Sequence, residues 1–299
     1  MKIAYLILAH HNPGHLHRLL RALDDPRADF FLHIDKKKNI EEFDLDRVGL
    51  VHSKLTCVDR HKILWGDISI VEAMLTLYKT ALESGDYDRF MLLSGDDYPL
   101  RSNDEIVTFL SQDREFTRCA QLHASSSATD YWFWKLKNMF LIKSIRRITR
   151  FLKIQRKYYI PVGGEKWSIY LSSQWQALTR EGVQTLLKTL EENPQILRYF
   201  RFSRAPDELL IPTVLGNIPH LREKTYPPCQ PETFANRPVL HYLQMERQKG
   251  SSVSIFTEKD FDDAMASGKL FIRKTIPGVS DGLLERIDES RKDGIAGKT

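Results

Sequence analysis

The sequence predicts an α/β protein with a mostly parallel central sheet covered by helices on both faces. Three observations point there. Apolar runs of strand length alternate with segments of helical periodicity through the first 123 residues. The first such run leads through a polar loop straight into an amphipathic helix, the opening half of a βαβ unit. Two later runs end abruptly in acids, at Asp35 and at Asp96-Asp97, where the carboxyl ends of parallel strands expose polar groups.

Lys2 to Ala9 is the first strand, and Gly14 to Leu23 places Leu16, Leu19, Leu20 and Leu23 on one helical face. Phe30 to Ile34 is the second strand and runs into Asp35-Lys36-Lys37-Lys38. A short third strand is expected over Leu50 to His52, followed by a loop from Arg60 to Trp65. Asp67 to Leu82 reads as a long helix capped by Asp67, its buried stripe made of Ile70, Val71, Met74, Leu77, Tyr78 and Ala81. The strand Phe90 to Leu93 stops at Ser94-Gly95-Asp96-Asp97, and Pro99 prevents regular continuation. Ser102-Asn103-Asp104-Glu105 then has the form of a capped start for a helix carrying Ile106, Val107, Phe109 and Leu110.

Residues 124–160 break this rhythm. Three serines precede the aromatic cluster Tyr131-Trp132-Phe133-Trp134, and residues 143–157 contain Lys143, Arg146, Arg147, Arg150, Lys153, Arg156 and Lys157 among apolar residues. Trp167 to Leu178 reads as strand and loop, Arg180 to Glu192 as a helix, and Pro194 to Phe200 as another. Pro206 suits the first turn of a short helix, with Asp207 and Glu208 at its positive end. The proline-rich stretch 227–231 is a loop, and Val239 to Leu243 a strand. Thr257 to Met265 is a capped helix, Leu270 to Ile276 a last strand bearing Arg273 and Lys274, and the tail from Asp281 docks one helix before fraying.

Composition bounds the function classes. A chain of 299 residues, 42% hydrophobic and 28% charged, is an ordinary globular protein able to bury a sizeable core. No apolar run approaches the ~20 residues needed to span a bilayer. The apolar opening meets His10, His11 and Asn12 where a secretory signal would need small residues, so a cytoplasmic protein is expected. Cys57, Cys119 and Cys229 are too few and too widely spaced for a disulfide framework or a zinc site. P-loop and dinucleotide fingerprints are absent, and neither a serine-nucleophile elbow nor a zinc-protease motif is expected. Nothing points to nucleic acid.

Several stretches carry two readings. Ser94 to Asp97 is either an Asx-type turn or a site delivered by a buried strand. The basic segment Lys143 to Lys157 is either a solvated helix face or a peripheral contact with anionic lipid. The aromatic cluster is either core or a surface that stacks on sugar rings. Asp207 and Glu208 are either first-turn acids or site residues. His11 and His15 share one helix face, but without further ligands they do not make a metal site.

Taken together, these stretches resemble the core-2 and I-branching N-acetylglucosaminyltransferases, a family that also includes the peptide O-xylosyltransferases. The matching residues run in the family's order. They are Ala4 to His10, His33-Ile34-Asp35-Lys36-Lys37, Trp65-Gly66 with Ser69 and Ala73, and Leu92 to Leu100, which is similar to LSGxDYPL. Ser173-Gln174-Trp175 with Leu178-Thr179-Arg180 resembles the SQW element, Pro206-Asp207-Glu208 the PDE element, and Leu270-Phe271-Ile272-Arg273-Lys274 the LFARK element. The resemblance spans roughly residues 3 to 276.

It implies a GT-A type glycosyltransferase, with residues 1–123 as the nucleotide-sugar-binding half and 124–299 as the acceptor-binding and catalytic half of one compact domain. Transfer by single displacement needs a base for the acceptor hydroxyl and a positive group for the departing diphosphate. The resemblance assigns the base to Glu208 and the diphosphate contact to Lys274, with Arg273 adding charge. Asp35 is expected at the uridine, and Arg60 and Trp65 on the donor side. Asp96-Asp97 lacks DXD spacing, so Asp97 is expected to orient donor or acceptor, with Asp96 beside it, and no metal or other cofactor is expected. Ser173, Gln174, Trp175 and Asp207 are expected on the acceptor side.

The chain also departs from the family. His241 and Met245 stand where a strand resembling LRYIDW has Arg and Trp, so the diphosphate clamp falls to His241, Arg237 or Arg273, and Ser172 stands where Gly commonly precedes SQW. The membrane anchor, stem and disulfides of lumenal members have no match here. A cytoplasmic enzyme of bacterial type, in peripheral contact with the inner membrane face, is therefore expected by analogy. The function that follows is transfer of N-acetylglucosamine or xylose from a UDP-sugar to a glycan or glycolipid hydroxyl. Two alternatives are a metal-dependent GT-A enzyme using Asp96, Asp97 and a histidine, and a carbohydrate-binding relative that has lost its chemistry.

Overall fold

The computed structural model describes residues 1–122, 157–226, 238–246 and 252–296. The aromatic cluster at Tyr131 to Trp134, the basic segment up to Arg156, the proline-rich stretch 227–231 and Arg237 lie outside the described residues.

Strands β1 (Ile3–Ala9), β2 (Ala28–Ile34), β3 (Leu55–Cys57) and β4 (Arg89–Ser94) run parallel, and β10 (Ala177–Thr179) joins antiparallel to β4. The resulting sheet has the order β10-β4-β1-β2-β3. β1 sits at its centre, with Ala9 opposite Ile34 of β2 and Leu8 opposite Ser94 of β4. The carboxyl ends of all three strands therefore finish at one level.

Helices cover both faces. On one side α2 (Ile68–Ser84) packs Val71, Met74, Leu77, Tyr78 and Ala81 against Ala4, Leu6, Phe31, Phe90 and Leu92. On the other, α1 (Pro13–Ala22) and α3 (Asn103–Leu110) bring Leu16, Leu19, Leu20, Ile106 and Leu110 against Ile3, Tyr5, Ile7, Phe30, Leu32, Met91 and Leu93. Strands sandwiched this way need apolar residues at every position, which is why they read as unbroken runs. The expected α/β architecture, mostly parallel with helices on both faces, is the one observed.

Local signals act as expected where their partners are close in sequence. Asp67 Oδ1 caps α2 by accepting from the Ser69 amide at 3.0 Å. At α3, Ser102 Oγ accepts from the Glu105 amide and Glu105 Oε2 from the Ser102 amide, a complete capping box. The third strand, in contrast, lies five residues later than expected. The amides of Val51, His52 and Ser53 donate to the Asp24 carboxylate at 2.6, 3.1 and 2.8 Å, so residues 50–53 form a turn and pairing starts only at Leu55.

A second, three-stranded sheet holds the other end of the site. β5 (Asp97–Pro99) pairs antiparallel with β14 (Phe271–Arg273), which pairs parallel with β11 (His241–Leu243). The last strand is thus shorter than the expected 270–276, and Lys274 stands just past it. Helix α9 (Asp281–Ala296) docks on this layer through Leu283, Leu284 and Ile287. Its Asp288 accepts from Tyr98 Oη at 2.6 Å and from Arg18 Nη2 at 2.8 Å.

In chain order between β5 and β10 come β6 (Ala120–Gln121), β7 (Tyr159–Val162), β8 (Glu165–Ser168) and β9 (Tyr170–Leu171), all short, with β6 paired to β9 and β7 to β8. Helices α4 (Arg180–Glu192), α5 (Gln195–Phe200), α6 (Leu210–Asn217) and α7 (Pro219–Lys224) follow, and β12 (Met245–Glu246), β13 (Ser252–Val253) and α8 (Phe261–Ala266) lie between β11 and β14 in the chain. Residues 206–208 make a single 3-10 turn before α6, where a short helix was expected. Among the described residues no helix is long and apolar enough to cross a membrane.

Candidate active site

The parallel strands deliver His10 and His11 after β1, Asp35 after β2, and Asp96 after β4 to one edge of the sheet. His10 lies within electrostatic reach of Asp96, Lys274 and Asp35, so these groups share one region.

Asp35 is anchored there. Its Oδ1 accepts from the amides of Lys37 (3.0 Å) and Ile63 (3.3 Å), and Lys37 Nζ lies 3.3 Å from Oδ2. Burial pushes the carboxyl up, but the two amides and the ammonium outweigh it and hold Asp35 below the usual carboxylate range. Arg60 is turned inward, donating to the carbonyls of Ile34 (2.9 Å), Asp35 (3.0 Å) and Lys38. It braces the loop after β2. Trp65 is 78% exposed, with the Arg204 guanidinium 5.6 Å from its ring centre.

Asp97 is fully enclosed. Its Oδ2 accepts from the Ser94 amide at 2.7 Å and lies 3.2 Å from His241 Nε2, while its Oδ1 accepts from Arg273 Nη1 at 2.9 Å. Burial alone would raise this carboxyl, yet Arg273 and His241 together hold it below the usual range. The His241 ring is enclosed too, packed 5.4 Å from Phe271 and 5.9 Å from Trp175. His241 therefore serves Asp97 and does not face the open edge of the site. Arg273 stacks on Trp175 at 4.3 Å, so the residue expected on the acceptor side and one expected at the diphosphate are in direct contact.

Asp96 lies one step outward. Lys274 Nζ is 3.2 Å from its Oδ2 as an ion pair and His11 Nδ1 is 3.4 Å from its Oδ1, neither contact having hydrogen-bond geometry. The Asp96 carbonyl accepts from the amide and hydroxyl of Thr275, and that hydroxyl is 3.1 Å from His15 Nε2. His11 and His15 thus turn to different partners. Among the described residues no group of three or more His, Cys, Asp or Glu is placed to hold a metal ion.

The acidic turn approaches from the second half of the chain. Ala205 adopts a left-handed conformation, φ 52°, with its amide bonded to the Gly66 carbonyl at 3.2 Å and its carbonyl accepting from the Glu208 amide at 3.1 Å. The Glu208 carbonyl accepts from the Ser172 amide at 2.9 Å. Residues 64–66, the 172–175 segment and the acidic turn are therefore stitched together by backbone bonds. Ser173 Oγ accepts from the Trp175 amide at 3.2 Å, and Gln174 Nε2 reaches Met74 Sδ at 3.8 Å. Asp207 keeps part of its surface exposed, yet burial pushes its carboxyl up to about 6.

A histidine beside Asp96 enters the sequence reading only in the metal-dependent alternative and without a residue assigned, and Thr275 beneath Asp96 and Arg204 on Trp65 have no place in it. Only the clustering of histidines near residue 10 hinted at the first. The spacing of a nucleophile elbow does occur, at Gly278-Val279-Ser280-Asp281-Gly282, contrary to expectation. Ser280 is nevertheless buried, its Oγ donating to the Phe256 carbonyl at 2.6 Å and accepting from the Ile276 amide at 3.0 Å, so it is a structural hydroxyl ahead of α9.

Residues 3–228 match the model of the Core-2/I-Branching enzyme family. Xylosyltransferase 2 of Rattus norvegicus is 26% identical over 226 residues, covering 73% of this chain and 25% of that protein. Xylosyltransferase 1 of Homo sapiens is 25% identical over 238 residues, covering 74% of this chain and 22% of that protein. The matched region is thus about a quarter of those relatives' length. Among solved structures, mouse xyloside xylosyltransferase 1 in its apo form aligns with a TM-score of 0.36 and 11% identity, over 72% of this chain and 82% of that one.

Proposed function

The chain belongs to the Core-2/I-Branching enzyme family, and on that premise we propose that it is an inverting glycosyltransferase. It moves xylose or N-acetylglucosamine from a UDP-sugar to a glycan hydroxyl in one displacement. Glu208 takes the proton from the acceptor hydroxyl, the freed oxygen attacks the anomeric carbon, and the bond to the diphosphate breaks with its electron pair leaving on UDP. Lys274 carries the positive charge that meets that developing negative charge. Xylose is favoured by the xylosyltransferases among the relatives.

The observation that carries this reading is the position of Lys274. Its side chain is 31% exposed at the carboxyl edge of the sheet, beside Asp96 and within electrostatic reach of His10 after β1. Arg273 is committed to Asp97 within the second sheet and to the Trp175 ring, so its contribution is to fix Asp97 and to seat the 172–175 segment against that sheet. Asp35, rigidly held at the end of β2, is suited to reading the uracil edge by hydrogen bonds.

The reaction as proposed needs no divalent metal. Both Asp97 oxygens already have protein partners, and Asp96 faces an ammonium, which makes this pair a poor donor set for a hard cation. Lys274 supplies, as a side-chain ammonium, the charge that a metal would bring.

The test is UDP release and sugar transfer across a panel of UDP-sugars, with and without EDTA, for the unaltered chain and for Glu208→Gln. Turnover of one donor in EDTA, falling by ~10²-fold or more in Glu208→Gln while UDP binding persists, is expected. Full activity in Glu208→Gln would remove the base assignment. Loss in EDTA that manganese restores would remove the metal-free mechanism.

A further inference from the structure

Asp96 has a second consequence for a site that must bind a diphosphate. Its side chain is 2% exposed, and its closest cation is the Lys274 ammonium at 3.2 Å. The two backbones are pinned independently of that contact. Asp96 N–H donates to Ser94 Oγ at 3.1 Å and its carbonyl accepts from Thr275, while Lys274 N–H donates to the Ser254 carbonyl at 3.2 Å and its own carbonyl accepts from Phe256 at 2.9 Å. Only the long, flexible Lys274 side chain is left to choose between partners. A buried carboxylate held this close offers it one permanently.

We propose that Asp96 is an internal counter-ion that competes with the diphosphate for Lys274, and so sets how tightly the site holds its donor and its UDP product. The proposal rests on the reading of Lys274 as the diphosphate contact. In the empty site Asp96 keeps the ammonium paired and oriented. When a nucleotide arrives, the ammonium swings toward the phosphates at the expense of the Asp96 contact, leaving His11, 3.4 Å from the other carboxylate oxygen, as the remaining neighbour. After transfer, Asp96 draws Lys274 back and favours UDP release. Among the described residues His10 and His15 also lie within electrostatic reach of Asp96, and burial lowers both imidazoles below their ordinary value, so at neutral pH neither adds a charge to the pair.

Calorimetric titration tests it, with UDP as one probe and uridine, which lacks the phosphates, as the other. Asp96→Asn removes the charge and keeps the shape, and UDP affinity is expected to rise about tenfold while uridine affinity is unchanged. Lys274→Met is expected to weaken UDP binding about tenfold, and the gain from Asp96→Asn is expected to vanish in the double variant. Asp96→Ser, which also lacks the charge, should act in the same direction, and thermal melts identify any variant that fails to fold. Unchanged or weaker UDP binding in both Asp96 variants, with Lys274→Met still impaired, would overturn the counter-ion role and leave the Lys274 reading intact. Unaltered UDP binding in Lys274→Met would instead remove the diphosphate reading on which the proposal stands.

Discussion

Arg273 stands directly opposite Asp97 in the register of the two strands β14 and β5, and donates to its carboxylate across 2.9 Å. The guanidinium is largely buried between that carboxylate and the Trp175 ring. Removing it leaves a buried anion whose partners among the described residues are His241 and the Ser94 amide. Arg273→Ala is therefore expected to destabilise the fold by about 3–5 kcal/mol. Arg273→Lys keeps the charge but loses the planar stack on Trp175, and should fall between the two. Chemical denaturation of the three proteins checks the order, and equal stability for the Ala variant and the parent would contradict the anchoring role.

The same pair predicts an acid limb. Asp97 is held below the ordinary carboxylate value in the folded state, by Arg273 and His241 against the opposing effect of burial. A group with a lowered folded value binds fewer protons folded than unfolded. Its contribution is complete above the unfolded value of about 3.8 and is lost as pH falls through the folded value. The unaltered chain should thus lose stability steeply below about pH 4, and Asp97→Asn, weaker at neutral pH, should show a shallower decline. Melting temperatures between pH 2.5 and 7 decide this.

Asp207 acts in the opposite direction. Burial raises its carboxyl from 3.8 to about 6, so the folded state binds the extra proton, and stability falls as pH rises from about 4 through 6. Asp207→Asn should consequently stabilise the protein at pH 7 to 8 and change nothing below pH 4. The whole shift corresponds to about 3 kcal/mol, and partial exposure brings the expected gain to about 1 kcal/mol. A gain that is the same at pH 4 and pH 8 would assign the effect to something other than this carboxyl.

Why some of this was legible in the sequence and some was not follows from distance along the chain. β1, β2 and β4 announce themselves because burial on both faces demands unbroken apolar runs, and the caps of α2 and α3 are made by residues two and three positions away. The third strand was misplaced because Asp24 captures amides 27 to 29 residues later, a competition no local pattern reports. The motifs named the neighbourhood of the site but not the division of labour within it. Arg273 is adjacent to Lys274 in sequence and equally basic, yet alternation along β14 turns it inward to a residue 176 positions earlier. His241 is likewise a buried partner of Asp97 because β11 lies beside β14, a pairing that becomes visible only once the second sheet is assembled.

Gly216 supplies a last test, of how the acidic turn is held. Helix α6 begins directly after Pro206-Asp207-Glu208 and seats on β8 and β9, with Tyr170 N–H donating to Thr213 Oγ1 at 3.0 Å and Asn217 bridging the backbone of Ser168. A Cβ at Gly216 would lie 2.6 Å from the Tyr170 ring, closer than packed atoms tolerate. Gly216→Ala must therefore lift α6 or tilt Tyr170, at a cost of about 1–3 kcal/mol. Lifting α6 moves the turn that carries Glu208, whereas Asp35, Asp96 and Lys274 belong to the other side of the site. The variant should accordingly lose transfer rate while binding UDP as the parent does, and Gly216→Ala combined with Tyr170→Leu should recover part of the loss. If UDP affinity falls in step with the rate, the two sides of the site are mechanically one, and α6 does not position Glu208 independently.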